Sequence, residues 1–163
     1  MKVDQEKFIK ILDENQAIIN KICYGYANNS EDRLDLKQEV LIQLWKAYPK
    51  YKGDSHISTW IYRIALNTAI SNYRKSIKKI SQCEITHDIF QSIEDNDSVE
   101  KKEQLEQIYY LIYRLNELER AIILLHLDDL KYKEIAEIIG ISETNVATKI
   151  NRIKSKLKNQ FNY

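Results

Sequence analysis

Apolar residues recur along most of this chain at intervals of three and four, the spacing that lines one face of an α-helix. Phe8, Ile11, Leu12, Ile18, Ile19 and Ile22 form one such face, and Leu36, Val40, Leu41, Leu44 and Trp45 form a second. The second helix should end near Pro49, because a proline disfavours helical backbone in the residue before it. A loop from Lys50 to His56, with Gly53 inside it, leads into a third helix predicted from about Ile57 to Lys79. Residues 81–98 hold no sustained period and end in an acidic run, which reads as a linker. Ser98 can cap the next helix, whose apolar face is Leu105, Ile108, Leu111, Ile112 and Leu115, and another helix follows from about Glu117 to Leu127.

The last segment carries the sharpest signal. A short helix buries Ile135, Ala136 and Ile139, and Gly140 supplies the permissive backbone of a sharp turn. Ser142 can cap a following helix whose apolar stripe is Val146, Ile150, Ile153 and Leu157. This is a helix-turn-helix pattern. The face turned from that stripe shows Thr144, Thr148, Lys149, Asn151 and Arg152, groups suited to phosphates and to base edges in a major groove. After Glu143 this helix has no carboxylate through Lys158, a depletion that suits a polyanionic partner. Two amphipathic helices around a glycine also occur in helical cores that bind nothing, so the acid-free face is what tips the reading toward DNA.

With one proline, three glycines and long helix-period runs, the predicted fold is all-α. It divides into two small helical domains, 1–80 and 99–163, joined by the acidic linker 81–98, with the helix-turn-helix in the second. The net charge of +1 does not announce a nucleic-acid binder, but its distribution is uneven. Residues 1–80 carry about +5, residues 81–120 about −6 and the remainder about +2. Cys23 and Cys83 make no CxxC and no cluster with His56, His87 or His126, so neither a metal site, a cofactor motif nor a disulfide framework is expected. Unpaired thiols, the lack of a signal-like apolar core and the lack of a membrane-length run point to a cytoplasmic protein without membrane insertion. No glycine-rich phosphate loop or histidine with a nucleophile partner argues for an enzyme.

The predicted third helix has a second acid-free side: Thr59, Arg63, Asn67, Ser71, Arg74 and Lys78. Trp60 falls near it, where it either closes the core or stacks on bases. Tyr51, His56 and Tyr62 could hold an extruded base, although eleven tyrosines weaken any single one as a signal.

Two blocks in fixed order resemble a known family. Residues 35–45 (DLKQEVLIQLW), then 58–67 (STWIYRIALN) and Arg74, resemble the promoter-melting domain of bacterial RNA polymerase sigma factors. Residues 115–120 (LNELER), Glu134-Ile135-Ala136 and the helix-turn-helix resemble their minus-35-reading domain. Two domains without others resemble the extracytoplasmic-function type. The resemblance implies that Asp35, Gln38 and Glu39 grip the clamp helices of the polymerase's largest subunit, with the flap as a further contact. It implies that Trp60, Arg63, Asn67 and Arg74 meet the minus-10 element, and that Arg120, Thr144, Thr148, Lys149 and Arg152 serve the minus-35 element and its phosphates. Core RNA polymerase and promoter DNA are the implied partners, with an anti-sigma factor as a further candidate. The chain departs from the family at Asn116, where proline is common, and at Asn145 and Ala147, where threonine and lysine are common, so no promoter preference carries over. The competing expectation is a free-standing helix-turn-helix regulator, which would bind DNA without polymerase.

Overall fold

The computed structural model describes residues 2–80 and 99–161. The segment 81–98, read above as a linker with its Ser98 cap, and Cys83 lie outside the described residues. The described chain is helical throughout: α1 Lys2–Glu14, α2 Gln16–Tyr26, α3 Ser30–Ala47, a 3-10 turn Tyr48–Lys50, α4 Ile57–Ile80, α5 Val99–Tyr113, α6 Glu117–Leu127, α7 Tyr132–Ile139 and α8 Glu143–Phe161.

The first predicted helical face is two helices, not one. The chain breaks at Asn15, whose N–H bonds to Leu12 O at 3.1 Å and whose side chain donates to Ile11 O at 2.8 Å. An asparagine side chain offers the backbone this local alternative to continued helix. Other boundaries follow capping chemistry. The Asn29 side chain accepts from Asp32 N at 2.8 Å to open α3, which ends at Ala47, two residues before Pro49. His56 opens α4, its carbonyl taking Trp60 N and its Nδ1 taking Ser58 N. Asn116, the departure from the family's proline, caps α6 by accepting from Glu119 N at 2.9 Å, so the position still starts a helix by different means.

Helices α2, α3 and α4 pack on one another, and α6, α7 and α8 do the same. The two halves also share one continuous core, because α2 lies on α5 and α6 while α4 lies on α6 and α7. Ile19, Ile22, Leu36, Leu44 and Ile61 are fully buried from the first half, and Ile112, Ile122, Leu125, Ile135, Ile150 and Ile153 from the second. Some predicted core positions are not core. Trp45 lies 45% exposed with its ring edge on Phe8, and Leu105 and Ile108 are exposed because the first turns of α5 stand clear of the other helices' buried faces.

Candidate nucleic-acid interface

The helix-turn-helix is built as its sequence requires. Gly140 takes φ +82°, ψ +35° at the end of α7, and its N–H reaches Ala136 O at 2.8 Å. Ser142 Oγ accepts Asn145 N at 3.1 Å to start α8. Val146, Ile150 and Ile153 are fully buried under α6 and α7, while Leu157 is half-buried. Ile138, rather than Ala136 or Ile139, completes the buried face of α7 with Ile135. On the outer face Thr144, Thr148 and Arg152 are exposed and Lys149 is half-buried. Thr148 donates to Thr144 O at 3.1 Å, which leaves its oxygen available as an acceptor. Lys156 pairs with Glu119 at 2.5 Å and ties α8 to α6. The predicted reading face is therefore open to solvent.

Helix α4 is in a different state. Its 24 residues contain no acid, and Asn67 is exposed on a groove of about 580 Å³ that it lines with Asp35, Glu39, Ser71 and Lys75. Asp35, Gln38 and Glu39 are all exposed on α3, so the carboxylates and Asn67 border one channel. Trp60 is half-buried, tilted against Tyr51 at 5.1 Å and Tyr48 at 6.3 Å between ring centroids. It belongs partly to the core and partly to the surface near the 50–56 loop. The two arginines of this helix are engaged by the other half of the chain. Arg63 Nη2 donates to Glu137 O at 3.1 Å, and Arg74 pairs with the Glu117 carboxylate at 2.5 Å.

Arg120 requires a correction. The sequence reading sets it among the minus-35 contacts, yet its side chain is 0% exposed. Its guanidinium lies 4.3 Å from the Tyr73 ring centroid, 4.6 Å from Tyr113 and 5.1 Å from Tyr26. Nη2 donates to Tyr113 O at 2.7 Å and Leu115 O at 3.0 Å, while Nε and Nη1 have no hydrogen-bond partner among the described residues. Aromatic faces attract a desolvated cation and here stand in for water. In this arrangement Arg120 presents nothing to DNA.

Tyr62, weighed above as a base-holding residue, instead donates to Asp128 at 2.5 Å, and Lys21 bonds to the other oxygen of the same carboxylate. Burial, helped by Glu134, pushes the Tyr62 hydroxyl up to about 12, so it stays a donor. Asp128 reaches this point from the α6–α7 turn, where Asp129 adopts φ +59°. No signal in the sequence singled out Lys21 or Asp128, because their partners lie 107 and 66 residues away.

The fold is an all-helical one of two parts, with a helix-turn-helix in the second and two helical faces poor in acids, α4 having none and α8 none past Glu143. Residues 11–78 match the family of sigma-70 region 2 and residues 105–157 that of sigma-70 region 4. The chain is 31% identical to the ECF RNA polymerase sigma-E factor of Escherichia coli K12, over 98% of this chain and 88% of that protein. It is 32% identical to RNA polymerase sigma factor YlaC of Bacillus subtilis, over 88% and 84%. It is 29% identical to ECF RNA polymerase sigma factor SigW of the same organism, over 98% and 91%. In fold it is similar to RpoE of Bartonella quintana, solved in complex with the anti-sigma factor NepR, at a TM-score of 0.74 and 16% identity over 99% of this chain and 98% of that one. CnrH, solved with the cytosolic domain of CnrY, gives 0.71 and 19% over 97% and 89%. The chain belongs to the extracytoplasmic-function group of bacterial RNA polymerase sigma factors. Its function is to direct RNA polymerase to initiate transcription at specific promoters.

Proposed function

We propose that residues 1–80 form the domain that binds core polymerase and the minus-10 element, and that residues 99–163 form the minus-35-reading domain. The observation that carries this reading is the pair of faces on α4, which has no acid, and on α8, which has none past Glu143, each set beside a different part of the fold. Thr144, Thr148, Lys149 and Arg152 would contact the minus-35 duplex from the open face of α8. Trp60, Arg63, Asn67 and Arg74 would follow the melted minus-10 strand, with Asp35, Gln38 and Glu39 on the polymerase clamp beside them. Arg120 acts in the core instead.

The chain makes and breaks no bond in this scheme and works in the cytoplasm. Opening a duplex costs about 1.4 kcal/mol per stacked step, beyond what a chain of this size offsets alone, so melting is done with the polymerase. Extruding one base costs a few kcal/mol, which an aromatic platform such as Trp60 can offset. An anti-sigma factor is a natural further partner, since both structural neighbours were solved with partners, one of them the anti-sigma factor NepR.

The test mixes the purified chain with bacterial core polymerase and maps transcript starts on genomic DNA. Discrete starts that require the chain, lost when Asp35 and Glu39 are both replaced by lysine, are the expected result. Core binding that survives the double replacement removes α3 from the polymerase contact. No binding to core, with tight binding to duplex DNA by the chain alone, favours a free-standing regulator.

A further inference from the structure

Helix α8 sorts its outer residues by charge. At about 3.6 residues per turn, the side opposite the buried Val146, Ile150 and Ile153 is a row of Thr144, Thr148, Asn151 and Ser155, all exposed and none charged. Cations stand on its two flanks, Lys149 and Arg152 on one and Lys154 and Lys158 on the other. A helix lying in a major groove needs this order, because base edges form the floor of the groove and the two phosphate backbones its walls. In helix-turn-helix proteins the N-terminal residues of the second helix reach that floor, which sets Ser155 aside and leaves Thr144, Thr148 and Asn151.

Hydrogen bonding within the helix ranks those three. Thr148 donates to Thr144 O at 3.1 Å and so shows the groove only acceptor lone pairs. Thr144 offers one short hydroxyl. The side-chain amide of Asn151 has no partner among the described residues, while its backbone carbonyl accepts from the Ser155 hydroxyl at 3.1 Å. Ala147, one turn earlier on the same side, is too short to cover that amide, and it stands where the family commonly has lysine. Asn151 thus keeps a donor and an acceptor side by side in one plane, free to meet a base. Adenine matches them: its N7 accepts and its N6 amino group donates, whereas guanine shows two acceptors there and leaves the amide oxygen facing another oxygen.

We propose that Asn151 is a specificity-determining residue, whose amide N–H donates to N7 and whose amide oxygen accepts from N6 of one adenine in the minus-35 element. The proposal rests on the reading of α8 as the minus-35 helix and adds to it a base preference that the family's pattern does not carry over. Charge on the flanks of the row acts at any sequence, and the amide in its middle makes the choice.

The experiment assembles the full chain with bacterial core polymerase, randomises the minus-35 stretch of a promoter mapped from its transcript starts, and sequences the templates that are transcribed. The parent should favour adenine at one position by roughly 5- to 140-fold, the discrimination of a good bidentate pair. Asn151→Ala should erase that preference and leave those at the other positions in place. Fixed templates then carry at that position 7-deazaadenine, which lacks N7, or unsubstituted purine, which lacks the N6 amino group. Each should lower initiation by the parent and neither should affect Asn151→Ala. A parent that selects other bases but no adenine, a preference that survives Asn151→Ala, a loss spread evenly over all templates, or analogues that act on parent and variant alike overturns the assignment, while α8 keeps the minus-35 reading. No selection at any position by the parent removes that reading and the assignment with it. Alanine is the better helix former and the position is exposed, so the variant should fold, which circular dichroism checks. If it does not, Asn151→Ser, which keeps a hydroxyl but not the paired amide, decides in the same way.

Discussion

Replacing Gly140 separates backbone strain from every other effect, because a Cβ there would have nothing within 4 Å. The residue holds φ +82° and donates to Ala136 O at 2.8 Å, so an L side chain keeps the hydrogen bond only by accepting left-handed backbone. That costs about 1–2 kcal/mol for a non-glycine residue. Against it, alanine narrows the unfolded ensemble and recovers about 0.4–1 kcal/mol. The net for Gly140→Ala is a loss centred near roughly 0.8 kcal/mol and reaching about 1.6 kcal/mol, each kcal/mol being worth about 2–4 °C in Tm for a chain of this size. Gly140→Asn should lose less, because its side chain tolerates the left-handed region, and Gly140→Val more, because branching at Cβ adds crowding. Urea unfolding followed by circular dichroism gives the order Gly, Asn, Ala, Val from most to least stable. An alanine variant as stable as the parent, or asparagine below valine, would refute the strain argument.

Lys149→Ala should weaken binding to minus-35 duplex by about 1–3 kcal/mol if the lysine reads a base, or reduce the salt slope by about one unit if it touches phosphate. Titrations at several salt concentrations separate the two, and no change in either removes Lys149 from the interface. In a Cys83→Ser background Cys23 is the one thiol; it is buried, and burial, moderated by Lys37 and Arg33, pushes it up to about 11. A thiol-specific reagent at neutral pH should therefore label it only as fast as the fold opens, and labelling at the rate of a free thiol would contradict its burial. Asn116→Ala removes the cap on α6 and should cost about 1 kcal/mol in the same urea assay, whereas Asn116→Asp should cost little.

The helix-turn-helix was readable because everything that defines it is local: a left-handed glycine, a serine cap and a stripe at helical spacing all fall within residues 132–158. The existence of α3, α4, α5 and α6 was legible for the same reason. The split at Asn15 was missed because the apolar face continues across it, while the break is made by one side chain turning onto its own backbone. The site was legible in residue type but not in state. Arg63 and Arg74 read as solvent-facing cations, and only the fold reveals that carbonyl and carboxylate partners 74 and 43 residues away hold them. Arg120 reads like any basic residue in a polar stretch, since nothing around it in sequence shows that Tyr26 and Tyr73 arrive from the first half to bury it. The abundance of tyrosine was the available sign. Tyr24, Tyr26 and Tyr73 on one side and Tyr109 and Tyr113 on the other are rings that line the contact between the halves, each with an apolar body and a polar tip.

That composition bears on why a promoter-reading protein can have a formal charge near zero. A strongly basic chain would gain affinity for any duplex through counterion release and spend its time on nonspecific sites. Here the acids Glu117, Glu119 and Asp128 lie in the half that faces α4 or braces α8, pairing with Arg74, Lys156 and Lys21. Each of these acids lowers the attraction for DNA of the isolated chain without removing a cation from it. The most exposed of these pairs, Arg74–Glu117, is of the kind that contributes typically about 0.2–1 kcal/mol, so it is readily exchanged for contacts to a phosphate or to another protein. On the proposed reading of α4 and α8, the larger share of DNA affinity would come from the assembly with polymerase. On that reading, near-neutral charge and basic helices are parts of one arrangement, in which the acids offset cations that α4 and α8 keep.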